Sequence, residues 1–294
     1  MIIGVLFFYP RLGIYGLAAG VVLGAFFHFL IQAVAAWNSG LTPKFSLEID
    51  FKEIKDTVLV SFPRTLGLAF NNLALISIIA LASFLQEGSI SIFNFSFNLQ
   101  SVPLNIIGIS YAVAAFPTLA KSYALGNGEE FRKYLKETAR AIVFWSLPVI
   151  FLFIVLRAQI VRVILGSGSF SWDDTRLVAA CLAIFSLSIL AQGMITLLSR
   201  AYYATGNTKR PFFMNFLCSL SIIGFSFLFI HLFKAAPLFR NFIESLLKVE
   251  DISGTEVLML PLAYSVGTIL NFVFHWFFVR RDFLSGESFI TQTF

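Results

Sequence analysis

Charged side chains are scarce in this 294-residue sequence. Asp, Glu, Lys and Arg together make up 13% of it, against about 25% in ordinary soluble domains. A water-soluble fold of this length exposes more surface than so few charges can cover. That excludes a soluble enzyme and a nucleic-acid-binding module. Cysteine is nearly absent as well: Cys181 and Cys218 both lie inside apolar runs, so no disulfide framework of a secreted scaffold can be drawn. His28, His231 and His275 stand apart among apolar residues, with no carboxylate or cysteine at metal-ligand spacing. Leu165-Gly-Ser-Gly-Ser169 shares only its glycines with a phosphate loop and lacks the Lys that should follow. Neither a catalytic cluster nor a metal or cofactor site is expected.

Apolar residues are what the chain has in excess. They make up 58% of it, and 36 positions are Phe. The solvent for most of the chain is therefore lipid. Seven apolar segments run over about 14–37, 57–85, 89–120, 141–156, 173–199, 211–233 and 257–279. Each approaches or exceeds the ~20 residues that cross ~30 Å of hydrocarbon. An opening apolar run ends at Tyr9, too short to cross, and reads as the second half of a helix. No basic residues follow Met1 directly, so it does not read as a cleavable signal peptide. Continuous runs without dyad alternation exclude a transmembrane barrel. The expected fold class is all-α: a polytopic transmembrane bundle of about seven full helices plus an N-terminal half helix.

Local chemistry supports these limits. Ser171 with Asp173 and Asp174 is an N-terminal cap in front of the fifth segment. Gly206 and Asn207 end that segment, and Pro211 suits the first turn of the next. Pro103 and Pro148 fall inside apolar runs, where kinks are expected. Loops 38–56, 121–140 and 200–210, with the C-terminal tail from Arg280, carry 13 Lys and Arg residues against 7 on the opposite side. This bias places the first set in the cytoplasm. Segments 45–56, 129–138 and 238–249 are amphipathic and are expected to lie flat at the membrane interface.

Polar side chains inside the apolar runs fall into stripes. Asn94, Asn98, Ser101 and Asn105 recur at steps of four, three and four, which is one helix face. Ser188, Gln192, Thr196 and Ser199 form a second stripe, and Ser265, Thr268 and His275, with Asn271 at the margin, a third. Arg64 stands about two turns into the second segment, followed by Asn71 and Asn72. Amides in lipid need partners, so such faces turn toward the bundle or toward water. Plain helix-to-helix hydrogen bonding and the lining of a hydrated cavity both fit, and several uncharged stripes together favour the cavity. A mid-helix Arg costs about 2.5–3.5 kcal/mol on insertion scales, which marks a functional site. The other reading of Arg64 is that it snorkels to the interface. Candidate cavity residues are Arg64, Asn71, Asn94, Asn98, Ser101, Asn105, Gln192 and Thr196.

Several motifs resemble the MurJ/MviN family of lipid II flippases, within the multidrug/oligosaccharidyl-lipid/polysaccharide exporter superfamily. They are Leu198-Ser-Arg-Ala-Tyr-Tyr-Ala-Thr-Gly-Asn-Thr-Lys-Arg-Pro211, Leu99-Gln-Ser-Val-Pro-Leu-Asn-Ile-Ile-Gly108, Phe116-Pro-Thr-Leu-Ala120, Pro63-Arg-Thr-Leu-Gly67 and Gly13-Ile-Tyr-Gly-Leu-Ala-Ala-Gly20. Their order and spacing match over nearly the whole chain. The resemblance implies part of a two-lobed fourteen-helix protein, from the end of its fifth helix through its twelfth, and a chain incomplete as a transporter on its own. On that map residues 1–56 close the N-terminal lobe, 57–280 form a C-terminal lobe of six helices, and 281–294 are a cytoplasmic tail.

The implied activity is movement of undecaprenyl-pyrophosphate-linked peptidoglycan precursor across the bacterial cytoplasmic membrane by alternating access. The implied partners are that lipid, the bilayer and cell-wall synthesis proteins, with no nucleic acid. An exporter of another polyprenyl-linked oligosaccharide or of a drug would share the architecture. A non-transporting scaffold for cell-wall assembly would need no wet cavity. Two departures from the family pattern stand out. Where many members carry Arg in the third segment, this chain has Asn98. Members with a sodium site place carboxylates in the helices matching 57–85 and 211–233, and neither stretch here contains Asp or Glu.

Overall fold

A computed structural model describes residues 2, 4–40, 51–168 and 170–284. Every regular element among the described residues is helical. Among the described residues, six helices are long and apolar enough to cross a membrane, and a bent pair makes a seventh crossing if it counts as one span. The chain divides into two compact units, Met1–Ile54 and Lys55–Phe294.

In the first unit, short helical turns Gly4–Phe8 and Tyr9–Leu12 precede helix α1, Ile14–Asn38. Gly13 between them has φ +57°, a left-handed conformation that glycine adopts without steric cost. The apolar start is thus broken from α1 and does not extend it.

The second unit carries the remaining helices. They are α2 (Phe51–Ala82, counted from Lys55), α3 (Ser89–Pro103), a π-helical stretch Leu104–Ile109, α4 (Ser110–Ala124) and α5 (Gly128–Val155). After these come α6 (Arg157–Leu165), α7 (Trp172–Ser186), α8 (Ile189–Ala204), α9 (Lys209–Ala235), α10 (Pro237–Leu247) and α11 (Met259–Val279). Pro103 cannot donate to the preceding turn, and the wider π turn begins directly after it. Pro148 lies within α5, which continues without a break. Ser171 forms the full capping box: its hydroxyl accepts from the Asp174 N–H, and the Asp174 carboxylate accepts from the Ser171 N–H.

Residues 129–138 are the first turns of α5, and Phe131 and Leu135 are buried there. Of 45–56, residues 45–50 lie outside the described residues and the rest open α2. Residues 238–247 fall in a short helix of their own, α10, with Leu238, Phe242 and Leu246 exposed and Ile243 and Leu247 buried. Its C-terminus is anchored by cations. Arg157 donates to the Leu247 carbonyl at 3.0 Å, and Arg176 donates to the Lys248 carbonyl and pairs with Asp251 at 2.6 Å. The Arg176 hydrogen bonds hold the Asp251 carboxyl below the usual carboxylate range. That contribution is present at neutral pH and fades as pH falls through the lowered value. It is small, because Asp251 is 70% exposed.

The fifth segment is not one straight helix: α7 and α8 meet at 42° across Leu187 and Ser188. Neither Pro nor Gly lies at the bend. Hydroxyls there bond to carbonyls that a straight helix would use itself. Ser188 Oγ donates to Phe185 O at 2.7 Å, and Ser265 Oγ of α11 donates to Ile184 O at 3.1 Å. Side-chain insertion into the ladder is a recognised cause of a kink. At the other end of α8, the Tyr202 hydroxyl donates to Asp282 at 2.7 Å, and Arg210 pairs with the same carboxylate. Asp282 and Phe283 are buried in the helical continuation Arg280–Leu284, so the expected tail begins as packed structure.

Lipid gives helices little hydrophobic reason to associate, so small residues that let backbones approach carry the packing. A Cβ on Gly108 would lie 2.6 Å from Gly193 Cα, closer than real Cβ atoms come. The π stretch and α8 therefore touch backbone to backbone. We predict that Gly108→Ala destabilises the protein by about 1–3 kcal/mol through overpacking. Gly224→Ala, whose Cβ would meet nothing within 4 Å, leaves stability unchanged or raised. Melting temperatures of the two purified variants in detergent check this, and equal values would remove the crossing from the account.

Candidate functional site

A polar cavity of about 250 Å3 opens inside the second unit, between α2, the π stretch, α8, α9 and α11. The helices contribute amides and hydroxyls: Asn71 from α2, Gln192 and Thr196 from α8, Asn215 from α9, and Tyr264, Thr268 and Asn271 from α11. Ala74, Leu104, Ile195 and Ile222 supply apolar wall. Among the described residues, none of the lining side chains is an Asp, Glu, Lys, Arg or His, so this part of the wall is neutral.

Gln192 is its hub. Its amide nitrogen donates to Gln100 Oε1 at 3.1 Å and to Ser188 Oγ at 2.9 Å, and its oxygen accepts from the Tyr264 hydroxyl at 3.2 Å. One side chain thus ties α3, the α7–α8 bend and α11 together. A second chain of bonds runs along α9 and α11. Asn271 Nδ2 donates to Asn215 Oδ1 at 3.3 Å, His275 Nδ1 meets the Asn271 carbonyl at 3.0 Å, and His275 Nε2 meets Ser199 Oγ at 3.1 Å. A carbonyl only accepts, so Nδ1 carries the proton, and in the neutral ring Nε2 accepts from Ser199. The described His residues read as scattered follow that pattern: His275 is a buried, bonded core residue, whereas His28 and His231 are exposed.

Of the candidates from the sequence, the structure brings Asn71, Gln192 and Thr196 to this cavity. It does not bring the α3 stripe there. Asn98 and Asn105 are exposed, and Asn94 and Ser101 half-buried. The face of α3 turned inward instead carries Phe93, Ser96 and Gln100. Arg64 belongs to α2, but its side chain lies outside the described residues. Sequence reasoning missed Gln100, Asn215 and Tyr264. Asn215 had a usable signal, a lone amide in the run Phe212–Phe216 that lipid would leave unbonded. Gln100 and Tyr264 had none, because their roles depend on which helix lies opposite.

Many apolar crossings, a backbone-to-backbone helix contact, a broken span and a cavity lined by amides and hydroxyls define a class: a multi-pass helical membrane protein. The family model described as lipid II flippase MurJ matches residues 1–294, and the chain belongs to that family. A probable lipid II flippase MurJ of Borreliella burgdorferi is 28% identical over 226 residues, covering 77% of this chain and 45% of that protein. One of Bdellovibrio bacteriovorus is 30% identical over 207 residues, covering 70% of this chain and 39% of that protein. The chain thus spans less than half the length of these relatives. A solved structure described as lipid II flippase MurJ in an inward closed conformation superposes with a TM-score of 0.69 at 22% identity. The match covers 96% of this chain and 55% of that one, which shows the shared fold.

Removing the hub should be costly. Gln192→Ala leaves Gln100 and Tyr264 without their partner, a loss of roughly 1–3 kcal/mol. Ser221→Ala, whose exposed hydroxyl only folds back onto the Leu217 carbonyl, should stay within about 0.5 kcal/mol. Thermal unfolding of both variants checks the difference.

Proposed function

We propose that this chain works as part of a lipid II flippase, moving undecaprenyl-pyrophosphate-linked peptidoglycan precursor across the bacterial cytoplasmic membrane by alternating access. The observation that carries this reading is the polar face of the second unit. Asn98 and Asn105 of α3 and its π extension, with Asn71 and Asn72 of α2, are exposed on helices that cross the membrane. Hydrocarbon cannot satisfy exposed amides, so this face turns to water or to polar cargo. Uncharged amides suit sugars and peptide, and a guanidinium such as that of Arg64 suits pyrophosphate.

In this reading residues 1–56 close an N-terminal lobe, 57–280 form the C-terminal lobe, and the tail from 281 faces the cytoplasm. Loops 38–56, 121–140 and 200–210 are cytoplasmic as well, supported by the 13-to-7 distribution of Lys and Arg. The headgroup travels along the polar face while the polyprenyl tail stays in lipid, and cell-wall synthesis proteins are the expected neighbours.

The test is rescue of a flippase-depleted bacterium by the gene that carries this chain. Growth and lipid II translocation are expected to return, and Asn98→Ala is expected to impair translocation more than Asn38→Ala at the end of α1. Absence of rescue sinks the flippase reading, and equal activity of the two variants returns the stripe to a packing role. A cysteine at position 98, in a background without Cys181 and Cys218, separates transporter from scaffold. Labelling by a water-soluble maleimide supports a wet face, and full protection supports a scaffold.

A further inference from the structure

Some members of the family bind sodium through carboxylates in the helices that match α2 and α9, and the cavity described above lies between those helices. The residues present do not fit that ion. Residues 57–85 and 211–233 contain no Asp or Glu, and α2 and α9 offer Asn71 and Asn215 to the cavity. We infer that this cavity is a neutral water site that does not hold sodium.

Charge is the first reason. A cation taken from water loses hydration that a counter-charge or a set of free oxygens must replace. No described lining residue carries a negative charge. The second reason is that two of the amide oxygens on the wall are already engaged. Gln192 Oε1 accepts from Tyr264, and Asn215 Oδ1 accepts from Asn271.

The third reason is the sign of what the network still needs. Two of the buried described atoms without partners belong to this network, the acceptor Asn271 Oδ1 at the cavity and the donor Gln100 Nε2 one hydrogen bond behind Gln192. A water donates to Asn271 Oδ1 and keeps the cavity neutral, whereas Gln100 Nε2, which is not on the described wall, needs an acceptor, and a cation cannot act as one. At about 30 Å3 per molecule in the liquid, a space of about 250 Å3 holds several waters. The same chemistry accounts for the hydroxyls and amides spread around the wall, each able to bond a water without fixing a charge.

The experiment compares melting temperatures of the purified chain in sodium chloride and in choline chloride at equal ionic strength, alongside equilibrium binding of radioactive sodium. Melting temperatures within about 1 °C of each other and no saturable binding are expected, since an ion that binds the native state must raise its stability. A sodium-specific rise of several degrees that Asn271→Ala abolishes overturns the inference. A second variant tests the stated cause. Asn71→Asp places a carboxylate on the wall and is expected to create sodium-dependent stabilisation. Sodium insensitivity of that variant overturns missing charge as the reason. A sodium response of the unaltered chain would leave the flippase reading intact, and failed rescue in the depleted bacterium would leave this inference intact.

Discussion

Hydrocarbon can neither donate nor accept a hydrogen bond, so every amide and hydroxyl on these helices must find a partner within the bundle or stand on a face that lipid does not cover. The organisation of the second unit follows from how that demand is met. Gln192 reaches three helical elements at once, and the break between α7 and α8 places Ser188 where the Gln192 amide can use it. At the same break the Ile184 carbonyl accepts both from the Leu187 N–H and from the Ser265 hydroxyl of α11. The bend is therefore also a point where α11 is held.

Close backbone contact and polar satisfaction depend on each other here. Gly108 and Gly193 bring the π stretch against α8 one residue after Gln192. That proximity holds the α3 segment close enough for Gln100 and Gln192 to bond. A larger residue at either glycine would widen the gap, and a bond already at 3.1 Å lies near the long end for an amide pair. The end of the bundle where α8 closes and α9 opens is fastened by a different device. There Asp282 takes the Tyr202 hydroxyl and the Arg210 guanidinium, joining the ends of α8, α9 and α11.

Much of this was legible in the residues, and the reason is local physics. The spans follow from apolar length, the α7 start from Ser171 and Asp174, and the disturbance after α3 from Pro103. Features that depend on a neighbour were not legible. The α7–α8 break contains neither Pro nor Gly and is written in serines that would be unremarkable on a straight helix. The stripe Asn94, Asn98, Ser101 and Asn105 was correctly a single face, yet periodicity does not say whether a face turns inward. Burial at Phe93, Ser96 and Gln100 places the core on the other side of α3. Asp282 looked like the start of a tail because its partners, Tyr202 and Arg210, lie some seventy to eighty residues earlier in the chain.

Phenylalanine is the remaining compositional oddity, and the structure accounts for part of it. Phe93, Phe97, Phe185 and Tyr264 form one aromatic cluster, with several ring centroids 5.4 to 5.6 Å apart in edge-to-face contact. Such pairs add about 0.5–1.5 kcal/mol beyond area burial, which matters in lipid, where burial of apolar surface between helices contributes little. Tyr264 belongs to both systems. Its ring stands edge-on to Phe97 and Phe185, and its hydroxyl donates to Gln192. The aromatic core thereby sets the position of the polar hub, so a repacking of those rings would move the wall of the cavity. Many other Phe residues, Phe151 and Phe213 among them, are exposed on helices that cross the membrane, where an apolar ring needs no partner. Part of the excess therefore positions the cavity, and another part stands exposed on the apolar helices.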